Sequence, residues 1–333
     1  MPRWNEIKKE IDNRKDVDGP RREKIRLVEE ITGRPLIVYA SAFLDESKVA
    51  IAKGELSIVG ADKVGFTEVL EQIEGDSLDI LIHSPGGSPE AAESIIELLR
   101  SRFSSLRFIV PDQAKSAATM MCCASDLILM DEKSELGPID PQLLVIRADK
   151  AQIWAPAQAI LDQFDKAKQS ISEHSEQLPA WLPILQTLGP SLLSICEQAN
   201  ALSRSLVKDW LIKYMLSDQN EKEQKAQRIV EFLLDSKIHL SHGRRIGMDA
   251  LISEGVSVYD MRKDPKLQSA IWDLYLTIKW TFDLSTAVKI IENGHGGAYI
   301  RQVEVKQIGT QGNNPIPRQN QQPVPVSGKK RRR

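Results

Sequence analysis

One serine in the chain lies where a nucleophile is expected. Ser116 begins an apolar run of small residues, 117–124, directly after a strand-like stretch at 106–110. A serine at such a junction presents its hydroxyl at the positive end of the helix, which favours a developing anion. On this stretch alone the usual explanation would be a helix N-cap.

A second loop, residues 83–87 with the sequence HSPGG, follows another strand-like stretch. Gly86 and Gly87 have no side chain, so their backbone can closely approach a substrate. Acyl transfer needs at least a nucleophile and N–H donors that stabilise the oxyanion. Each motif alone is weak, but the two together predict an acyl-transfer site.

The elements that must position these loops alternate along the chain. Strands are predicted at 36–40, 78–82, 107–110 and 127–130, with helices at 64–73, 89–103 and 117–124. Alternation of this kind implies right-handed crossovers and a mainly parallel sheet, so the predicted fold class is α/β. Both candidate loops then follow carboxyl ends of strands, where such sheets bind ligands.

Helices dominate the rest of the predicted structure. Two are expected in 3–32, separated at Gly19-Pro20, three or four in 156–234, and one over 266–293 before a final strand at 298–305. The predicted organisation is N-terminal helices 1–34, a catalytic core 35–150, a helical subdomain 151–235, a return to the core with a C-terminal helix 236–305, and a disordered basic tail 306–333.

Composition excludes several classes of protein. The 333 residues are 41% hydrophobic and 27% charged with a net charge of -2, so no nucleic-acid partner is expected; the basic end 329–333 is interpreted as a solvated tail. No stretch approaches the roughly 20 apolar residues of a membrane span. The three cysteines lack zinc spacing and fit a reducing compartment. We therefore expect a cytoplasmic protein with no metal and no cofactor.

Three segments resemble a known family. Residues 83–87 are similar to the Ser/Thr-Pro-Gly-Gly loop of the Clp protease proteolytic subunit, and 115–126 to its nucleophile helix. Residues 136–142, LGPIDPQ, resemble almost letter for letter a segment of the serine dehydrogenase proteinase family, a branch of the Clp and signal-peptide-peptidase-A superfamily. The resemblance runs from about Thr32 to Val258.

This resemblance implies a ClpP/crotonase-like core with a helical subdomain. Ser116 would attack the scissile carbonyl, and the amides of Gly87 (or Gly86) and Ala117 would hold the oxyanion. The implied activity is that of an ATP-independent serine peptidase acting on peptides or unfolded proteins, assembled as a homo-oligomer.

The motifs leave several candidates for the general base. Clp subunits carry a histidine in an Ile-His-Gln-Pro segment, whereas residues 138–141 here read PIDP. The resemblance to signal peptide peptidase A then implies a lysine about fifty residues after the serine, which favours Lys168 or Lys166. His83 and His242 are alternative bases. Asp140 could orient a base, although its position before Pro141 favours the role of a turn cap.

Two other functions stay open on sequence alone. A crotonase-like acyl-CoA enzyme would use the same oxyanion loop without a serine nucleophile. A catalytically quiet scaffold would use the fold only to bind a partner.

Overall fold

A seven-stranded sheet lies at the centre of the computed structural model, which describes residues 3–146 and 150–303. Its order is β11-β10-β1-β2-β3-β5-β9; β1, β2, β3, β5 and β9 run parallel, and β10 and β11 are antiparallel to their neighbours. Two small sheets pair β4 with β6 and β7 with β8. The strands are β1 Leu36–Ser41, β2 Ser77–His83, β3 Ser105–Ile109, β4 Gln113–Ala114, β5 Leu127–Met130, β6 Glu135–Leu136, β7 Gln142–Ile146, β8 Gln152–Pro156, β9 Val258–Asp260, β10 Ala287–Asn293 and β11 Ala298–Gln302.

Helices cover both faces of the sheet. Alternate strand residues point to opposite faces: Ile80 packs in the cluster that includes α5 and α9, and Leu81 in the cluster with α2 and α13. The helices are α1 Arg3–Arg14, α2 Asp18–Thr32, α3 Glu46–Ala52, α4 Asp62–Leu70, α5 Pro89–Arg100, α6 Ala117–Cys123, α7 Ala157–Glu173, α8 Leu178–Leu185, α9 Leu192–Lys213, α10 Lys222–Leu234, α11 Ser236–His239, α12 Met248–Glu254 and α13 Pro265–Leu284. The mixed α/β fold with a mostly parallel sheet confirms the predicted fold class.

The sequence determines where α5 begins, and with it the end of the glycine loop. The Ser88 hydroxyl accepts a hydrogen bond from the Ala91 amide at 3.0 Å, and Pro89 occupies the first helical position. Ile95 and Leu99 bury the inner face of this helix. The loop is thereby held between the end of β2 and the first turn of α5.

The helix predicted over 266–293 is wrong in its last third. The helix α13 ends at Leu284, and residues 287–293 form β10, which pairs antiparallel with β1. Lys289 and Glu292 are fully buried in this strand. Both residues are charged, so they interrupt the apolar pattern that normally identifies a buried strand. They can be buried because each is paired with an opposite charge inside the protein.

Other differences are local. The first two helices separate between Arg14 and Asp18, so Gly19-Pro20 lies in the first turn of α2. The hairpin β7–β8 was not predicted. The predicted disordered tail, 306–333, lies outside the described residues, and the division into core and helical subdomain stays a prediction.

Candidate active site

Ser116 has a strained backbone. Its φ of 52° and ψ of -120° place a non-glycine residue in a sparsely populated region, which typically costs about 1–3 kcal/mol. It occupies the N-cap position of α6, yet its side chain accepts no capping hydrogen bond. The N-cap explanation therefore does not account for this partly exposed serine, whose hydroxyl is available for another role.

Neighbouring hydrogen bonds hold the turn around Ser116. The Thr119 hydroxyl donates to the Ala114 carbonyl at 2.8 Å and accepts from the Gly137 amide at 3.0 Å. The Lys115 amide donates to the Ser84 carbonyl at 3.0 Å, which ties the turn to the glycine loop. Strain of this kind persists only where the surroundings fix it.

The glycine loop packs between the Ser116 turn and Ile58. A Cβ on Gly86 would lie 2.7 Å from the Cβ of Ser116, and one on Gly87 would lie 2.4 Å from the carbonyl oxygen of Ile58. Both residues have a positive φ, 93° and 154°. Any side chain would therefore push the loop away from the serine, from Ile58, or from both.

Two backbone amides, one in the glycine loop and one directly after Ser116, have no protein partner among the described residues. Within residues 3–146 and 150–303, neither the Gly87 nor the Ala117 N–H donates a hydrogen bond. The Gly86 N–H differs, because it donates to the Ser84 hydroxyl at 3.2 Å. Of the three predicted oxyanion donors, Gly87 and Ala117 are therefore the available ones.

Ser116 and the glycine loop line one cavity of about 770 Å³. His242 lines the same cavity, and much of the remaining wall is apolar, with contributions from Met120, Leu143 and Trp154. A concave, mainly apolar space with a few converging polar groups is typical of a ligand site.

His242 is paired with a buried carboxylate. Its Nδ1 lies 2.8 Å from Oδ1 of Asp140, whose side chain is only 4% exposed. The other carboxylate oxygen accepts a hydrogen bond from the side-chain Nε2 of Gln142 at 2.7 Å. Engagement of Nδ1 leaves Nε2 as the nitrogen that can exchange a proton, as in hydrolase triads. In the described part of the chain Ser116 and His242 make no hydrogen bond to each other, but they share the cavity.

The predicted lysines lie elsewhere. Lys166 and Lys168 are both exposed on α7, and neither lines the cavity of Ser116. A lysine becomes a general base when it is desolvated, which an exposed position does not provide. Lys115, next to the serine in sequence, instead forms an ion pair with Glu135 at 2.7 Å.

His83, the other histidine predicted as an alternative base, is a core residue. Its ring is fully buried against Phe43 and Tyr275, and it does not line the cavity. Burial, followed by the nearby charge of Lys279, lowers the pKa of His83 to about 3. The ring is therefore neutral, and it lies in the core and not in the cavity wall beside Ser116.

Sequence reasoning missed part of the cavity wall. Leu143 and Trp154 come from the hairpin β7–β8, and Leu202 and Ser203 from α9. The sequence has two apolar runs, 143–146 and 153–155, only a few residues apart, and this is a hairpin signal that could have identified the first pair. The contribution of α9 has no local signal, since it depends on how the helix packs.

The segment that contains Ser116 matches a known protein family. Residues 68–176 match the ClpP-like SDH-type serine proteinase family. This match includes the glycine loop, Ser116 and the LGPIDPQ segment, so the predicted resemblance is confirmed there. His242 lies outside the matched segment.

Two uncharacterized proteins of Methanocaldococcus jannaschii are similar to parts of the chain. One is 46% identical over 66 residues, which are 20% of this chain and 23% of the relative. The other is 31% identical over 98 residues, 29% of this chain and 30% of the relative. The chain therefore matches less than a third of the length of either relative.

Solved structures with detectable likeness include two proteases. A variant of the membrane-bound stomatin-specific protease 1510-N is 17% identical, with 61% of this chain and 92% of that chain covered and a TM-score of 0.27. A ClpP1 variant from Listeria monocytogenes is 15% identical, with 63% and 90% covered and a TM-score of 0.30. In the described residues of the present chain, no helix is long and apolar enough to cross a bilayer.

Proposed function

We propose that this protein is a serine peptidase with Ser116 as nucleophile, His242 as general base and Asp140 as the group that orients the base. The observation that carries the proposal is a single cavity lined by a strained serine, the glycine loop and a histidine paired with a buried carboxylate. The match of residues 68–176 to a serine proteinase family supports it.

The reaction follows from these positions. His242 Nε2 takes the proton of the Ser116 hydroxyl as Oγ bonds to the scissile carbonyl carbon. The amides of Gly87 and Ala117 stabilise the resulting oxyanion, each by about 3 kcal/mol. His242 then gives its proton to the leaving amine as the C–N bond breaks, and water hydrolyses the acyl-enzyme by the same steps.

His242 replaces the predicted lysines as base in this proposal. Its Nδ1 contact with Asp140 fixes the ring and stabilises the imidazolium that forms during the reaction. The lack of a hydrogen bond between Ser116 and His242 in the described residues is compatible with this role, because catalytic hydrogen bonds commonly tighten only when substrate binds.

The substrates proposed are peptides or unfolded segments of proteins. The apolar side chains of Met120, Ile139 and Leu202 line the cavity next to the serine and would accept an apolar side chain of the substrate.

We also propose a homo-oligomer, because the hairpin β7–β8 exposes large apolar side chains, including Ile146 at 60% and Trp154 at 68%.

Peptide cleavage by matched variants tests the assignment of the base. Ser116→Ala and His242→Gln should each reduce kcat for a fluorogenic peptide at least 10³-fold, on the order of the loss seen when a triad member is removed. Lys166→Ala and Lys168→Ala should each retain kcat within about twofold.

The opposite pattern would overturn the histidine assignment. A folded His242→Gln variant with full activity, together with an inactive Lys166→Ala or Lys168→Ala variant, would return the role of base to a lysine.

A further inference from the structure

The orientation of one peptide bond determines whether the oxyanion hole exists. The Gly86 carbonyl accepts a hydrogen bond from the Ile58 amide at 2.7 Å. In a trans peptide the N–H of the next residue points to the opposite side, so this bond turns the Gly87 N–H away from Ile58. A flip of the peptide would replace the donor by a carbonyl oxygen.

Ile58 holds the loop on both sides of Gly87. Besides its amide contact to Gly86, its carbonyl accepts from the Ser88 amide at 3.0 Å. The position of Ile58 therefore decides the direction of the Gly87 N–H. Because Ile58 belongs to no helix or strand, its own position depends on tertiary contacts.

A buried ion pair fixes the residues that flank Ile58. Lys289 Nζ donates to the Ser57 carbonyl at 2.7 Å, and the Val59 amide donates to Oδ2 of Asp62 at 3.0 Å. Lys289 contacts both oxygens of Asp62, at 2.8 and 2.9 Å. The ion pair is thereby bonded to the peptide groups before and after Ile58.

The pair is anchored in the central sheet. Lys289 lies in β10, and the hydroxyl of Tyr39 in β1 donates to Asp62 at 2.7 Å. Lys289 and Asp62 are 0% and 1% exposed. A buried ion pair adds little net stability compared with apolar residues of the same volume, whereas an apolar pair could not bond the two peptide groups.

We infer that Asp62 and Lys289 are positioning residues for the oxyanion hole, which act through Ile58 on the Gly86-Gly87 peptide. The inference rests on the proposed function for its catalytic consequence. Its structural part, the control of the loop by the ion pair, stands without it.

The test compares two buried acids that lie close to the same strand. The double variant Asp62→Asn/Lys289→Met removes both charges and so leaves no unpaired ion. The control is Glu292→Gln, because Glu292 is also fully buried in β10 but pairs with Arg21 and Arg22, not with the glycine loop. If the ion pair only stabilises the fold, both variants should change amide exchange in the glycine loop to the same extent.

Two readouts separate this inference from the proposed function. Amide hydrogen exchange at Ile58 and Ser88 should become at least tenfold faster in the double variant and change less than threefold in Glu292→Gln. For peptide cleavage, kcat should fall roughly 10- to 100-fold in the double variant, up to the order of one lost oxyanion donor, with KM within about threefold.

Unchanged exchange at Ile58 and Ser88 in the folded double variant, or equal acceleration in Glu292→Gln, would overturn the inference. If the wild-type protein cleaves no peptide, the proposed function fails and exchange alone decides. If the double variant does not fold, Tyr39→Phe takes its place: it removes one hydrogen bond from Asp62, and faster exchange at Ile58 supports the inference while unchanged exchange overturns it.

Discussion

At the scale of single residues, backbone conformation separates Ser116 from an ordinary helix cap. Its φ is 52°, and its side chain accepts no capping hydrogen bond from the backbone of α6. Outliers of this kind concentrate at functional sites, where the surrounding structure maintains the strain. His242 and Asp140 add a second chemical group to the same cavity, and the match to a serine proteinase family includes the serine but not the histidine.

His83 provides a residue-scale prediction about pH. The folded protein holds this ring neutral with a pKa of about 3, whereas the unfolded chain binds a proton near pH 6.5. Its stabilising contribution is therefore complete above pH 6.5 and is lost as the pH falls from 6.5 towards 3. In that window the free energy of unfolding should decrease by about 1.4 kcal/mol per pH unit more than in a His83→Leu variant.

Urea denaturation of both proteins at pH 7, 6 and 5 measures this difference. Parallel stability curves for the wild type and His83→Leu would show that His83 is protonated in the folded protein or is not buried as described.

At the scale of elements, the glycine loop has no room for a side chain beside Ser116. Gly86→Ala should reduce kcat at least 100-fold, because the new Cβ would lie 2.6 Å from the Lys115 carbonyl and 2.7 Å from the Ser116 Cβ. The matched control is Gly75→Ala: Gly75 has a similar φ of 91° but no atom within 4 Å of its Cβ position. Gly75→Ala should lose about 1–2 kcal/mol of stability, the usual cost of a Cβ at positive φ, and keep its activity.

Peptide cleavage and thermal unfolding of both glycine variants give the comparison. Equal activity in the two variants would mean that the close approach of Gly86 to the serine has no catalytic role.

Some of these elements could be predicted from the sequence, and others could not. The turn at Ser116 and the glycine loop were predictable because each is a local motif at the end of a strand. The strand β10 was not, since Lys289 and Glu292 are charged and become compatible with burial only through partners far away in the chain. The pairing of His242 with Asp140, 102 residues apart, likewise depends on tertiary structure.

At the scale of the whole molecule, exposed apolar side chains on the hairpin β7–β8 predict self-association. Burial of such a surface between copies is favourable by roughly 25 cal/mol per Å², and a charge placed in it would oppose assembly. Ile146→Glu should therefore shift the protein to a smaller species in sedimentation velocity. Val64→Glu on α4, with a similar exposure of 56% against 60% for Ile146, should not.

An assembly of unchanged mass in Ile146→Glu would exclude the hairpin as the interface. A monomeric wild type at high protein concentration would contradict the proposed oligomer itself.

The central claim is that Ser116 is an activated nucleophile, and covalent labelling tests it most directly. A fluorophosphonate reacts with a serine whose hydroxyl is deprotonated by a neighbouring base and whose oxyanion is stabilised. The protein should take up one label per chain, located by peptide mass spectrometry at Ser116, and Ser116→Ala should take up none. Absence of labelling in the folded wild type, or undiminished labelling of Ser116→Ala, would contradict the claim.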